Sequence, residues 1–221
     1  HLEATSALSA TVATVLNISP DHLDRHASLA DYAAAKARIF DLEANAPPGT
    51  MVLNEDDRKV RTMIRPGRKI LWFGLGPPLD EHHFGIRWRA GEEHLACGEQ
   101  LLLPVSALPM PGRHNVANAL SALAMGHALG LPWEPMLTAL RHFTGLPHRT
   151  QWIAEHDGVI YYDDSKGTNV GATMAAIEGL SRPLVLIAGG EGKGQDFGVL
   201  RDCVKDKVKA VILIGRDAPQ L

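Results

Sequence analysis

Residues 11–18 (TVATVLNI) form an apolar, largely β-branched run closed by Ser19-Pro20, the pattern of a strand buried on both faces of a parallel sheet. Whatever follows it lies at the strand's carboxyl end. The next segment, 28–43, is predicted to be helical: Ser28 can cap its start with Asp31 three residues on, and Leu29, Tyr32, Ile39 and Phe40 recur at helical spacing until Pro47-Pro48-Gly49. Residues 50–54 and 69–74 read as two further strands, with a charged helix over 55–64 between them. Residues 84–105 change character to three short alternating runs separated by Ala90-Gly91 and Cys97-Gly98, which predicts a small antiparallel edge on the main sheet.

Pro111-Gly112 then introduces a helix over 114–129, stopped by Gly130 and Pro132, and a second over 133–143. Thr144-Gly145-Leu146-Pro147 marks the expected domain boundary, giving domains 1–146 and 147–221. In the second domain, runs at 151–156 and 159–163 flank Asp157-Gly158, a strong hairpin signal. A helix over 169–180, a buried strand over 183–188, a helix over 197–207 and a strand over 210–214 complete the pattern. The fold class is α/β: a mostly parallel sheet with an antiparallel edge, then the start of a second α/β sheet domain.

At 221 residues, 45% hydrophobic and 21% charged, the chain can bury a substantial core. Its 22 Lys and Arg against 25 Asp and Glu give no electrostatic reason to expect nucleic acid or an anionic membrane as partner. Cys97 and Cys203 stand far apart, outside any metal or disulfide spacing, which fits a reducing cytoplasm. No apolar run is long enough to span a bilayer. Both ends read as cut, so the chain is expected to be an internal piece of a longer protein.

Lys36 is the sharpest anomaly, because it shares the core-facing stripe with Tyr32, Ile39 and Phe40. An ammonium there needs a neutralising partner, a shifted pKa, or a route for the side chain to snorkel outward. Asp21, His22 and Asp24 follow the first strand, where open α/β sheets bind ligands. They suit Mg²⁺ or Mn²⁺ better than structural zinc, and they are also ordinary turn residues. Asn115 and Asn118, one helical step apart, can offer amides to an adenine edge or simply cap and face solvent. In Asp164-Ser165-Lys166-Gly167-Thr168-Asn169, a strand-to-helix loop, backbone N–H groups and Lys166 could meet an anion while Asp164 accepts from a hydroxyl; helix capping is the competing role. Gly189-Gly190-Glu191-Gly192-Lys193-Gly194 is also anion-seeking, although Gly194 and the spacer rule out a Walker A loop.

Together these segments resemble the Mur ligase superfamily of peptidoglycan synthesis, through Asn17-Ile18-Ser19-Pro20-Asp21-His22-Leu23-Asp24, Lys36, and Pro111-Gly112-Arg113-His114-Asn115-Val116-Ala117-Asn118-Ala119. Gly145-Leu146-Pro147-His148-Arg149, the run from Asp163 through Asn169, and Gly189-Gly190-Glu191-Gly192-Lys193 look like the branch that adds D-glutamate to UDP-N-acetylmuramoyl-L-alanine. The resemblance implies a P-loop-type central ATPase domain and a Rossmann-like C-terminal domain. The family's UDP-binding domain and phosphate loop lie outside the chain, so the chain alone is expected to lack ligase activity.

The implied reaction activates the L-alanyl carboxylate with ATP as an acyl phosphate, which the glutamate amine attacks. By the same resemblance Glu3 and His22 hold Mg²⁺ (or Mn²⁺), and Lys36 is carbamylated, becoming an anion that supports a second metal position. Asn115 and Asn118 lie near adenine, and Arg149 and Asp164 near the ATP phosphates and ribose. Lys166, Thr168 and Lys193 meet glutamate and the transferred phosphate, and Asp21 touches the amino-acid substrate. Gly167 stands where the family leads one to expect Ala. Residues 145–147 are the natural pivot for domain closure. The protein is expected to be cytoplasmic and monomeric. The alternatives are another Mur-type ligase or a folylpolyglutamate synthetase, a nicotinamide-dependent dehydrogenase, disfavoured by the absent G-x-G-x-x-G order, and a non-catalytic nucleotide-binding module.

Overall fold

A computed structural model describes all residues except 1, 6, 7, 22–24, 44 and 193. The chain divides into two compact units, one formed by residues 1–18, 30–109 and 113–143 and the other by 19–29, 110–112 and 144–221.

In the first unit, six strands pair in chain order: β1 (Val12–Val15), β2 (Thr50–Asn54), β3 (Lys69–Phe73), β4 (His83–Arg89), β5 (Glu92–Cys97) and β6 (Gln100–Pro104). The first four run parallel, and β4, β5 and β6 form the antiparallel edge. Register runs from Val12 opposite Thr50 to Val15 opposite Leu53. On β2 the residues Met51, Val52 and Leu53 are all fully buried, as a strand covered on both faces requires.

β1 is shorter than the apolar run predicts, because side chains take over its ladder. Asn54 Nδ2 donates to the Leu16 carbonyl at 2.7 Å, and Ile18 N–H donates to Asp57 Oδ2 at 2.7 Å. Asp57 Oδ1 meanwhile accepts from Lys59 and Val60 N–H, capping the single-turn helix α2 (Arg58–Arg61). The charged helix expected over 55–64 is confined to that turn.

The helix α1 (Leu29–Ala37) tightens into a 3₁₀ turn over Arg38–Phe40 and stops there, short of residue 43. Buried Arg68 closes its end: its guanidinium donates to the carbonyls of Phe40 (2.7 Å), Ala10 (2.9 Å) and Asp41 (3.3 Å). Burial lowers the Arg68 pKa, with the Asp41 carboxylate pulling the other way. One planar cation thus serves three carbonyls from two segments that have no ladder partner there.

α3 (Arg113–Ala128) packs across β1 to β4 and buries Val116, Leu120 and Leu123 against Val52, Phe73 and Phe84. Each fully buried Leu or Phe contributes about 2 kcal/mol. The helix α4 (Trp133–His142) returns over α3, placing Trp133 parallel to the His127 ring at 5.1 Å. Among the described residues no helix is long and apolar enough to cross a membrane.

In the second unit, β7 (Gln151–His156) and β8 (Val159–Asp163) form the hairpin that Asp157-Gly158 predicts, with both turn residues at positive φ (49° and 75°). After α5 (Val170–Gly179) comes β9 (Leu184–Gly189), then a 3₁₀ turn over Phe197–Leu200, α6 (Arg201–Lys207) and β10 (Val208–Ile214), which pairs parallel to β9. This order is mixed α/β throughout.

Replacing Arg68 by Met leaves its carbonyl partners without donors and is expected to cost about 3 kcal/mol of stability. Arg68→Lys, which lacks the planar fork, should recover only part of that loss. Chemical denaturation would read both, and a midpoint unchanged in Arg68→Met would refute the role given to this side chain.

Candidate functional site

In the second unit, two loops leave the carboxyl ends of strands and meet at the start of α5. Residues 164–169 follow β8. Their backbone donors turn inward: Ser165 N–H donates to Asp163 Oδ1 (2.9 Å), Lys166 N–H to the His148 carbonyl (3.0 Å), Gly167 N–H to the Asp164 carbonyl (2.7 Å) and Thr168 N–H to the Lys166 carbonyl (3.0 Å). All four of these amides are thus engaged within the protein. What this loop presents outward is side chains, with Lys166 and Thr168 both exposed.

Asp164 is half-buried, and its Oδ1 accepts from Thr150 N–H (2.7 Å) and Thr150 Oγ1 (3.2 Å). That bond holds the turn bearing exposed Arg149 to Asp164. Gly167 is spared a side chain that would press on the same carboxylate, since a Cβ there would lie 2.5 Å from Asp164 Oδ2. An alanine at this position would have to shift Asp164.

Asn169 N-caps α5 through Oδ1, accepting from Ala172 N–H at 2.8 Å, and its Nδ2 donates to Asp21 Oδ2 at 3.0 Å. Helix capping, the competing role read from sequence, is thus real at Asn169. The same amide brings Asp21 to the start of α5, 148 residues away in the chain.

The glycine loop after β9 is braced in a similar way. Gly190 N–H donates to the Ile214 carbonyl (3.0 Å), Gly192 N–H to Asp217 Oδ2 (2.7 Å), and Arg216 pairs with Glu191 (3.2 Å). Arg216 and the Gly192 N–H together hold the Asp217 carboxyl below its usual range. Gly189 has φ 144°, and a Cβ on it would fall 1.7 Å from the Ile214 carbonyl, so only glycine lets β9 and β10 close at this point. Gln195 links the two loops, with Oε1 accepting from Val170 N–H at 2.9 Å. Neither Gln195, Thr150 nor Asp217 carries a signal in the sequence, because each acts on a partner distant along the chain.

In the first unit, Lys36 is half-buried in the last turn of α1, and its Nζ lies 5.3 Å from the centroid of the Tyr32 ring. The ring face is a contact for the ammonium but does not neutralise it. Exposed Glu3 belongs to a segment tied to the same helix end, since Arg38 donates to the carbonyls of Glu3 (2.7 Å) and Thr5 (2.8 Å). His22 and Lys193 lie outside the described residues, as does Asp24. Among the described residues no group of three His, Cys, Asp or Glu side chains converges as a metal site. A hard divalent cation takes oxygen ligands, which a lysine ammonium does not offer; a carbamate on Lys36 would supply them. Asn115, half-buried, and Asn118, exposed, sit near the start of α3 with Asn118 Nδ2 3.4 Å from Asn115 Oδ1, both amides on one side of the helix.

This arrangement of domains and loops has relatives. Residues 1–126 match the Mur ligase middle domain, and residues 148–221 match the domain described as "Mur ligase, glutamate ligase domain". The chain belongs to the Mur ligase family. It is 55% identical over 218 residues to the UDP-N-acetylmuramoylalanine--D-glutamate ligase of Methylobacillus flagellatus, covering 99% of this chain and 47% of that protein. It is 52% identical over 224 residues to the enzyme of the same name from Nitrosococcus oceani, covering 100% and 48%. The chain spans about half the length of the curated relatives it matches. Among solved structures, MurF from Acinetobacter baumannii superposes with a TM-score of 0.66 at 21% identity, covering 91% of this chain and 50% of that one. MurF from Thermotoga maritima, solved in complex with ADP, gives 0.64 at 16% identity, covering 95% and 53%. These two likenesses establish the fold.

The Asp163 carboxylate has its pKa lowered from 3.8 to about 2, first by the hydrogen bond from His148 (2.7 Å) and then by Ser165 N–H. A carboxyl depressed on folding stabilises the native state above its unfolded value and loses that contribution as pH falls from 3.8 toward about 2. Asp163→Asn should therefore lower stability near neutrality and flatten the profile in that acid window, the two proteins converging as pH falls toward about 2. An Asp163 carboxyl found by NMR titration to ionise at its ordinary value in the native protein would refute the assignment.

Proposed function

We propose that the full-length protein is the ATP-dependent ligase that adds D-glutamate to UDP-N-acetylmuramoyl-L-alanine in peptidoglycan synthesis, acting in the cytoplasm as a monomer. The observation that carries this reading is identity of 49–55% across essentially the whole chain to several D-glutamate ligases. Residues 1–146 would then be the central ATP-binding domain and 147–221 the front of the C-terminal domain.

The reaction splits into two steps. The L-alanyl carboxylate first attacks the γ-phosphorus of ATP, giving an acyl phosphate and ADP. The amine of D-glutamate then attacks the acyl carbon, and phosphate leaves as the amide forms. Little covalent work falls to the protein, so its contribution is positioning and charge neutralisation. Asn115 and Asn118 present amides to adenine, and Arg149 and Asp164 hold the phosphates and ribose. The two cations Lys166 and Lys193, with the Thr168 hydroxyl, receive the carboxylates of glutamate and the charge developing on phosphate. Asp21, held by Asn169, is placed for the glutamate amine. Glu3, His22 and a carbamylated Lys36 would hold Mg²⁺ or Mn²⁺, whose role when bound is to neutralise phosphate charge.

The deciding experiment offers the full-length enzyme ATP, Mg²⁺, UDP-N-acetylmuramoyl-L-alanine and a panel of labelled amino acids. Incorporation should be confined to D-glutamate, and preference for any other amino acid would overturn the reading. Lys36→Ala should lose activity by about a hundredfold and recover part of it with added short carboxylates. In the unmodified enzyme the peptide bearing Lys36 should carry the extra mass of one CO₂ under bicarbonate. A bare Lys36 peptide together with a fully active Lys36→Ala enzyme would refute the carbamate.

A further inference from the structure

The amino end of α5 is the natural place for an anion, yet two of its donors are taken by side-chain amides. Val170 N–H, the first of the helix, donates to Gln195 Oε1 at 2.9 Å, and Ala172 N–H donates to Asn169 Oδ1. Gln195 reaches α5 from the far side of the glycine loop. Its own N–H donates to the Gly192 carbonyl at 3.0 Å, and its Nε2 stands 3.5 Å from the Thr168 carbonyl. One half-buried side chain thus spans from the loop bearing Lys193 to the loop bearing Lys166 and Thr168.

The chemistry of an amide suits both ends of this span. Its oxygen meets the positive end of the helix, and its NH₂ meets a carbonyl. A carboxylate would satisfy the helix and repel the Thr168 carbonyl, and an ammonium would do the reverse. With Gln195 in place, the first N–H of α5 is engaged within the protein.

We propose that Gln195 is a positioning residue for the amino-acid end of the site: it latches the glycine loop to α5 and so fixes the position of Thr168 and its loop relative to the glycine loop. The inference rests on the D-glutamate reading above. Gln195 does not touch the substrate; it sets where Thr168 and the glycine loop stand.

The test breaks one hydrogen bond from each side in the full-length enzyme. Gln195→Met keeps the length and removes the acceptor. Val170→Pro removes the donor at the first helical position, where proline is tolerated, and Asn169 already has the extended backbone (φ −144°, ψ 161°) that a residue before proline needs. Each variant should raise KM for D-glutamate about fivefold, the size of one lost neutral hydrogen bond, while KM for ATP stays within about twofold. The double variant should be no worse than either single one, because the same bond is lost in all three.

A Gln195→Met enzyme with unchanged KM for D-glutamate overturns the proposal, as do effects that multiply in the double variant or a loss confined to kcat and thermal stability. Should Val170→Pro not fold, hydrogen exchange at the Val170 amide decides: Gln195→Met must lose protection there, and retained protection refutes the latch. An unmodified enzyme that ligates another amino acid and not D-glutamate overturns the functional reading itself, and this inference with it.

Discussion

Backbone donors and acceptors at the ends of buried strands and helices must be paired, and in this chain distant side chains do much of that pairing. Asp57 and Asn54 hold the segment leaving β1, Arg68 closes the end of α1, Asn169 and Gln195 close the start of α5, and Asp217 holds the glycine loop. An unpaired buried amide or carbonyl costs about 1–3 kcal/mol, so these are strong constraints on loop shape. They explain why loops rich in glycine and small polar residues can still have a defined course. With their own amides consumed, such loops act as frames for the side chains that project from them.

That division of labour suits a reaction dominated by electrostatics. Preorganised groups act without reorganising as charge develops, whereas a loop that must first release water or rebuild its own bonds does not. Here the chain's net charge of -3 gives no general attraction for a phosphorylated substrate. In the proposed reaction attraction would have to be local, and Lys166 stands exposed on a loop whose four backbone donors from Ser165 to Thr168 are all engaged internally.

The strands, the long helix α3 and the Asp157-Gly158 hairpin were legible in the sequence because their signals are local: a β-branched run, a helical stripe, a turn that needs two positive φ values. The ends of elements were not. β1 stops at Val15 because Asn54 and Asp57, 38 and 39 residues onward, capture the backbone of Leu16 and Ile18. Arg68 reads as one more charged residue after a Pro-Gly turn, and only its three carbonyl partners reveal its work. In the candidate site, the residues with unusual chemistry could be named from their motifs. Gln195 could not, because glutamine after a glycine run carries no pattern, and its role exists only through Val170 and Thr168.

Lys36 shows how a sequence anomaly can be resolved in two ways by the same neighbourhood. As an ammonium it rests 5.3 Å from the Tyr32 ring centroid, a contact worth about 0.5–1 kcal/mol at a partly exposed site. This is enough to make the cation tolerable in a half-buried position without any further partner. The proposed carbamate would forfeit that contact and set negative charge against the electron-rich face of the same ring. Such an anion is favourable only beside compensating positive charge, so the ring and the cations pull the lysine toward opposite states. On that proposal Tyr32 would favour the free amine when no divalent cation is bound, and cation binding would favour the carbamate. On the proposed reading the modification and the metal would be coupled by charge, each raising the affinity for the other by the same factor.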